Sequence, residues 1–175
     1  MKGKIAMARA STRESKNLFW QAREAMGLSR EAASELLETI TPERIERIET
    51  EKFMPHPDEV LQMATKYKTP TLCNAYCSQQ CPIGQQYVPE IRIKDLSQIV
   101  LEMLASLNSM QRQTTRLIDI AADGVIDNDE LKDFINIQKE LERISITVET
   151  LQLWSEQMLM TGKINMEQYN ALKSK

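Results

Sequence analysis

Two long stretches with a repeating apolar pattern constrain the fold of this chain more than any other feature of its sequence. In the first stretch, apolar or small residues recur in alternating steps of three and four positions: Ile93, Leu96, Val100, Met103, Leu107, Met110, Thr114, Leu117 and Ala121. The second stretch repeats the pattern at Phe134, Ile137, Leu141, Ile144, Val148, Leu151, Ser155 and Met158. This heptad spacing predicts two long amphipathic helices, each with a continuous coiled-coil seam.

Two loops of matching character follow these helices. Residues 124–131 (GVIDNDEL) and 162–169 (GKINMEQY) agree position by position. In each loop a glycine ends one helix, Asp127 or Asn165 caps the next, and Glu130 or Gln168 reaches back to complete a capping box. We therefore expect a long antiparallel helical hairpin followed by a short C-terminal helix.

A two-helix hairpin cannot bury apolar residues on both of its sides. Several apolar residues lie outside the two seams: Ile99, Leu104, Ile118, Ile146, Leu153 and Trp154. Such leftover apolar surface predicts a homodimer, formed through residues 93–160, in which two hairpins make a four-helix bundle.

The first half of the chain predicts five shorter helices and a linker. Residues 1–15 have no apolar periodicity and are expected to be a flexible basic arm. Helix start and stop signals divide residues 16–81: Gly27, Ser29, Thr41-Pro42, Pro55-His56-Pro57 and Thr69-Pro70. Residues 82–92 contain Pro82, Gly84 and Pro89 and are predicted to link this part to the hairpin domain at 93–175.

Residues 18–69 resemble the repressor-type helix-turn-helix domains of the XRE (Cro/C1) family. Leu18–Met26 matches the first helix, Leu28–Ala33 the second, Thr41–Glu49 the recognition helix and Pro55–Ala64 the fourth. The resemblance covers about a third of the chain. It implies an all-α, repressor-like five-helix domain in a small bacterial or phage regulator that binds double-stranded DNA.

The resemblance also implies which residues meet DNA. A recognition helix packs one face on its scaffold and offers the other to the major groove. The predicted contacts are Ser29, Arg30, Thr41, Glu43, Arg44, Arg47 and Lys52. Lys2, Lys4, Arg9 and Arg13 of the arm could follow a groove. Residues 1–30 hold seven lysines and arginines against two glutamates, a net charge of +5, which fits an anionic partner.

The predicted recognition helix is also acidic. Glu43 and Glu46 would lie beside phosphates, where negative charge costs affinity, whereas Glu49 falls where the family has a structural glutamate. Two hypotheses therefore stay open: a dimeric, sequence-specific transcriptional regulator, and an adaptor that uses a degenerate helix-turn-helix and the hairpin to bind proteins without binding DNA.

The three cysteines are spaced C-x3-C-x3-C, as Cys73, Cys77 and Cys81. The favoured interpretation is that reduced thiols pack the fifth helix, with no cofactor. A zinc or iron–sulfur site is the alternative, but it needs a break in the helix and a fourth ligand, for which His56 is the candidate. Redox sensing is a third possibility.

An acidic loop also has a metal-site alternative. Asp119, Asp123, Asp127 and Glu130 fall at ligand positions of a calcium-binding EF-hand loop, but Ala121 replaces another ligand. We therefore interpret this segment as a capped turn between helices.

Other function classes are not expected. The sequence has one histidine, no phosphate-binding loop and no Ser/His/Asp set, so we predict that the protein is not an enzyme. No apolar stretch is long enough for a membrane span, and the basic N-terminus lacks the apolar region of a secretory signal. An odd number of clustered cysteines suits a reducing compartment, so we expect a cytoplasmic protein.

Overall fold

The computed structural model describes residues 16–122 and 124–174, and all regular structure in these ranges is helical. The elements are α1 (Leu18–Ala25), α2 (Arg30–Leu37), α3 (Pro42–Glu49), α4 (Pro57–Lys66), α5 (Thr71–Gln79), α6 (Gly84–Tyr87), α7 (Leu96–Ala121), α8 (Leu131–Met160) and α9 (Met166–Lys173). The all-α prediction is confirmed. The basic arm predicted at 1–15, with Lys2, Lys4, Arg9 and Arg13, lies outside the described residues, as does Asp123.

The chain divides into two compact units between His56 and Pro57. Helices α1–α3 belong to the first unit, and α4–α9 belong to the second. Residues 57–81, which the sequence groups with the helix-turn-helix, thus belong to the second compact unit. Their assignment to a DNA-binding domain stays a prediction.

Local capping sets the three helices of the first unit. The side chains of Asn17, Ser29 and Thr41 accept hydrogen bonds from backbone N–H groups in the first turns of α1, α2 and α3. Gly27 takes a positive φ of 69°, which lets the chain turn sharply after α1. The start and stop signals predicted for this segment are therefore confirmed.

The first unit buries an apolar core contributed by all three helices. The buried apolar residues are Phe19, Trp20 and Ala22 of α1, Ala33 and Leu37 of α2, Ile40 of the turn, and Ile45 and Ile48 of α3. Leu18 and Met26 are exposed, so the inward face of α1 is set by its aromatic residues. Burial of these large rings removes more apolar area from water than burial of Leu18 would.

The predicted linker at 82–92 is packed and partly helical. Helix α6 lies within it, and Gly84 is buried so closely against α5 that a Cβ there would lie 2.6 Å from the carbonyl carbon of Cys77. Asn74 of α5 donates to the carbonyl of Pro89 (3.0 Å) and accepts from the N–H of Ile91 (2.9 Å). The segment predicted as a linker is therefore held against α5 by hydrogen bonds and close packing.

Helices α7 and α8 form the predicted hairpin. Arg116, near the end of α7, bonds to Asp133, near the start of α8, with a distance of 2.7 Å between Nε and Oδ2. Asp127 accepts from the N–H of Glu130 (2.9 Å), and Asn165 accepts from the N–H of Gln168 (2.9 Å). The two matching connectors therefore use the same side-chain cap, as their sequences predict. None of the helices among the described residues has the length and apolarity needed to cross a membrane.

The seam of the hairpin is rotated from the predicted one. The prediction of an inward row at Val100 and Leu107 is wrong, because both residues are exposed while Ile99, Ser106 and Ile120 are buried. On α8, Leu141 and Val148 are exposed, and the neighbouring Thr147 is buried. Ile99 and Leu153, predicted to remain as leftover surface, are buried within the chain. Leu104 and Ile118 are exposed as predicted.

The rotation gives the hairpin two chemically different sides. In an antiparallel pair of helices, the positions that directly follow the inward residues of one helix lie on the same side of the hairpin as the corresponding positions of the other helix. One side, which we call the neutral face, therefore carries exposed apolar residues of both helices: Leu96, Val100, Leu104, Leu107, Ile118, Leu141 and Val148. Polar positions on this side include Gln111, Thr114, Gln138 and Ser145, which are uncharged. The opposite side carries charged residues of both signs, among them Arg112, Arg116, Lys139 and Arg143 and the carboxylates Asp133 and Glu140.

Candidate nucleic-acid interface

A buried ion-pair cluster joins the three helices of the first unit. Arg23 of α1 contacts both carboxylate oxygens of Glu49, at the end of α3, with distances of 2.5 Å from Nε and 3.0 Å from Nη2. Arg30 of α2 adds a third contact to Glu49 at 2.8 Å. Glu49 is only 3% exposed. These charge-assisted hydrogen bonds fix the position of α3 against α1 and α2.

Arg30 therefore has an internal role besides its predicted DNA contact. Its guanidinium pairs with Glu49 and lies 5.7 Å from the centre of the Trp20 ring, so part of its hydrogen-bonding capacity is used within the unit. Its side chain is 29% exposed. An arginine held by a buried carboxylate is oriented, but it has fewer N–H groups left for a phosphate.

Helix α3 has an inner face and an outer face. Ile45 and Ile48 are fully buried on the inner face, beside Glu49. Glu43, Glu46 and Arg47 are exposed on the outer face. The helix is eight residues long and begins with Thr41 as its cap and Pro42 in its first turn. This amphipathic arrangement is what a helix needs if it is to pack on a scaffold and insert into a groove.

The basic side chains of α3 contact the turn that follows the helix. Arg44 is half-buried, and its Nη2 donates to the carbonyl oxygen of Met54 at 3.0 Å. The guanidinium of Arg47 lies 5.4 Å from the centre of the Phe53 ring, and Phe53 is 55% exposed. The sequence predicts that both arginines point outward. Arg47 is exposed as predicted, whereas Arg44 is partly covered by the turn after its own helix.

Both helix N-termini in the candidate interface carry a carboxylate. Hydrogen bonds from its own backbone N–H and from Ser29 lower the pKa of Glu31, in the first turn of α2. Glu43 occupies the first turn of α3. A carboxylate at a helix N-terminus is stabilised by the same N–H groups and the same dipole that would bind a phosphate. The two helix ends therefore already carry a negative charge where an anion would otherwise bind.

The predicted contact residues are all placed in the first unit. Ser29, Thr41, Glu43, Arg47 and Lys52 are exposed, and Arg30 and Arg44 are half-buried. Sequence reasoning identified Glu49 as structural but missed its partner Arg23. The signal for that partner was an arginine three and four residues after Trp20 and Phe19, on the buried face of α1, because a charge on an inward face requires an opposite charge nearby.

The cysteines are unpaired and half-buried in the second unit. Burial raises the pKa of Cys73, and the nearby Cys77 and Glu156 raise it further. Cys81 accepts a long hydrogen bond (3.5 Å) from the N–H of Gly84. Within the ranges 16–122 and 124–174, no group of three or more His, Cys, Asp or Glu side chains is arranged to hold a metal ion. This applies to the set Cys73, Cys77, Cys81 and His56.

The acidic loop between α7 and α8 is organised by hydrogen bonds within the loop. Oδ1 of Asp127 accepts from the N–H groups of Asp129 (2.8 Å) and Glu130. The N–H of Asp127 in turn donates to the carboxylate of Glu130 at 3.5 Å. Asp127 and Glu130, which fall at two of the EF-hand positions, thus bond within the turn that leads into α8. This arrangement agrees with the interpretation of a capped turn.

No protein-family profile, curated protein sequence or solved structure matches this chain. The likeness of residues 18–69 to the XRE family therefore stays a prediction from the residues quoted above, and the function is argued from the geometry.

Proposed function

We propose that the protein is a DNA-binding transcriptional regulator that acts as a homodimer and reads DNA with α3. One observation carries the proposal: α3 buries Ile45, Ile48 and Glu49 while Glu43, Glu46 and Arg47 stay exposed on its outer face. The buried Arg23–Glu49 contact holds the helix so that its outer side chains are presented from a fixed backbone.

The mixed charge of α3 favours sequence-specific contacts over general attraction to DNA. Arg47 can donate two hydrogen bonds to guanine, and Glu43 can accept from the amino group of cytosine. The same glutamates repel phosphates, so we expect weak non-specific binding and a strong dependence on base sequence.

Selection from genomic fragments with purified protein tests this proposal. We expect enrichment of a palindromic site whose half-sites are about one helical turn apart. Arg47→Ala should weaken binding to that site by about 1–3 kcal/mol. Arg92→Ala is the matched control, since Arg92 is a highly exposed arginine of the second unit. Absence of any enrichment at low salt, or equal losses in both variants, would refute the proposal.

The neutral face of the hairpin supports the homodimer. Its seven exposed apolar side chains are each 40–64% exposed, and a standard interface buries roughly 800 Å² per partner. In a two-fold dimer the same surface patch of both copies meets, so a patch with charges of one sign would repel its copy. A face without charges, between 96 and 121 on α7 and between 134 and 152 on α8, is compatible with itself.

Sedimentation equilibrium of two leucine variants tests the interface. Leu107 lies on the neutral face, and Leu101 is an exposed leucine of the same helix that lies off this face. We expect Leu107→Glu to shift the protein to monomer, because two carboxylates would be buried at each interface, whereas Leu101→Glu should leave the dimer intact. A monomeric wild-type protein at high concentration would contradict the dimer.

A protein-binding adaptor is the second candidate, and a specific observation favours it. Phe53 and Met54 are both more than half exposed in the turn after α3, next to the acidic outer face. Exposed aromatic and methionine side chains are typical of protein interfaces. A stoichiometric protein partner that is lost in Phe53→Ser but retained in Arg47→Ala, without enrichment of DNA, would favour the adaptor over the regulator.

A further inference from the structure

A groove lined by basic side chains runs along the side of the hairpin opposite the neutral face. Its volume is about 430 Å³, and its charged lining residues are Arg112 and Arg116 of α7 and Asp133, Lys139, Glu140 and Arg143 of α8. Both helices place their cations four residues apart, so one pair on α7 faces one pair on α8. We call this feature the basic groove.

The charges of the basic groove do not cancel. Arg116 pairs with Asp133 at 2.7 Å, and Arg143 pairs with Glu140 at 2.8 Å. The side chains of Arg112 and Lys139 make no hydrogen bond or ion pair with any residue that the structure describes. Arg116 also lies 4.0 Å from Glu130 and is close to Asp119, so the positive charge that lacks an ion-pair partner is that of Arg112 and Lys139, and an anion between them would neutralise it.

The two ion pairs orient guanidinium groups without using up their donors. A guanidinium has five N–H groups, and the hydrogen bonds of Arg116 to Asp133 and of Arg143 to Glu140 use few of them. Ile137, at the bottom of the groove, is almost completely buried, so water is excluded from one side of the cluster. Such a floor strengthens electrostatic attraction relative to a fully solvated surface.

We propose that the basic groove binds a small anion that carries two or more linked phosphate groups. Cations four residues apart on a helix are separated by about 6 Å along its axis, a span suited to adjacent phosphates of one molecule. Arginine pairs with phosphate oxygens through two parallel hydrogen bonds, which favours an oxyanion over a halide, and linked phosphates carry more negative charge than a single carboxylate. The groove volume lies within the range of small-molecule sites. This site is independent of DNA binding by α3.

Calorimetric titration of the full chain with inorganic pyrophosphate tests the proposal. At low ionic strength, we expect pyrophosphate to bind at least about tenfold more tightly than orthophosphate, because it engages both cation pairs. Arg112→Ala and Lys139→Ala should each weaken pyrophosphate binding by about tenfold without loss of fold, since neither side chain has a partner within the described residues. Glu140→Gln should tighten binding, because it releases Arg143 and adds one net positive charge to the groove.

Arg92→Ala is the matched control, because it removes an exposed cation outside the groove. Its pyrophosphate affinity should equal that of the wild type. Absence of pyrophosphate binding, or equal weakening in Arg92→Ala and Arg112→Ala, would overturn the site. A random-sequence DNA duplex is titrated in parallel. If Arg112→Ala weakens duplex binding while pyrophosphate does not bind, the groove serves a nucleic-acid backbone and the proposal is wrong.

Discussion

Replacement of Glu49 by alanine is expected to destabilise the first unit strongly, although Glu49 is a charged residue. The substitution removes the carboxylate that accepts from Arg23 and Arg30. Loss of one partner of a buried ion pair costs about 3–5 kcal/mol, because the remaining charge stays buried without its opposite charge. Arg23 keeps its bond to the carbonyl of Leu28, and the partly exposed Arg30 can turn toward water. We therefore expect a loss of about 3–4 kcal/mol.

Urea unfolding followed by tryptophan fluorescence measures this loss. The chain has two tryptophans, and a Trp154→Phe background leaves the buried Trp20 as the reporter of the first unit. Glu46→Ala is the matched control, because Glu46 is an exposed glutamate of the same helix and should change stability by less than about 0.5 kcal/mol.

A double variant separates the ion-pair argument from a general effect of truncation. In Arg23→Met with Glu49→Leu, the Arg23–Glu49 pair is replaced by apolar groups of similar size, so we expect part of the stability lost in Glu49→Ala to return. The reasoning is refuted if Glu49→Ala and Glu46→Ala unfold at the same urea concentration. It is also refuted if the double variant loses more free energy of unfolding than Arg23→Met and Glu49→Leu lose when their separate losses are added.

Three further predictions concern backbone and thiol chemistry. Gly84→Ala should destabilise the second unit by about 2–3 kcal/mol in urea unfolding, since its Cβ would overlap the backbone of Cys77; an unchanged midpoint would contradict this contact. Glu51→Gly should raise the stability of the first unit by up to about 1 kcal/mol, because Glu51 has a φ of 58° after α3; a loss would show that its side chain matters more. Cys73 should react with iodoacetamide at pH 8.5 more slowly than free cysteine, because its raised pKa reduces the thiolate fraction until the pH rises further; fast reaction would contradict its burial.

The candidate interface shows which structural features of α3 the sequence predicts and which it does not. The amphipathic pattern of α3 identified Ile45 and Ile48 as inward and Arg47 as outward, since both follow from the 3.6-residue period. It did not anticipate that Arg44 would bond to the carbonyl of Met54. That contact depends on how the turn after α3 folds back, and a helical period carries no information about such a turn.

The basic groove illustrates the same distinction. Arg112 and Arg116, and likewise Lys139 and Arg143, are spaced four residues apart, so the sequence shows that each pair shares one face of its helix. Whether the pair on α7 faces the pair on α8 depends on the rotation of each helix about its own axis. Only the packing of the hairpin fixes that rotation.

The sequence alone determined the hairpin and the ends of most helices, because caps such as Thr41 and Asn165 and stops such as Gly27 act through hydrogen bonds between residues a few positions apart. Helix α6, inside the predicted linker, was not predicted. The tertiary structure decided which of two adjacent apolar rows on each long helix turns inward. Val100 and Leu107 are as apolar as Ile99, so periodicity cannot separate rows about 100° apart. The row that packs best against the facing helix is buried, and the other row stays exposed on the neutral face.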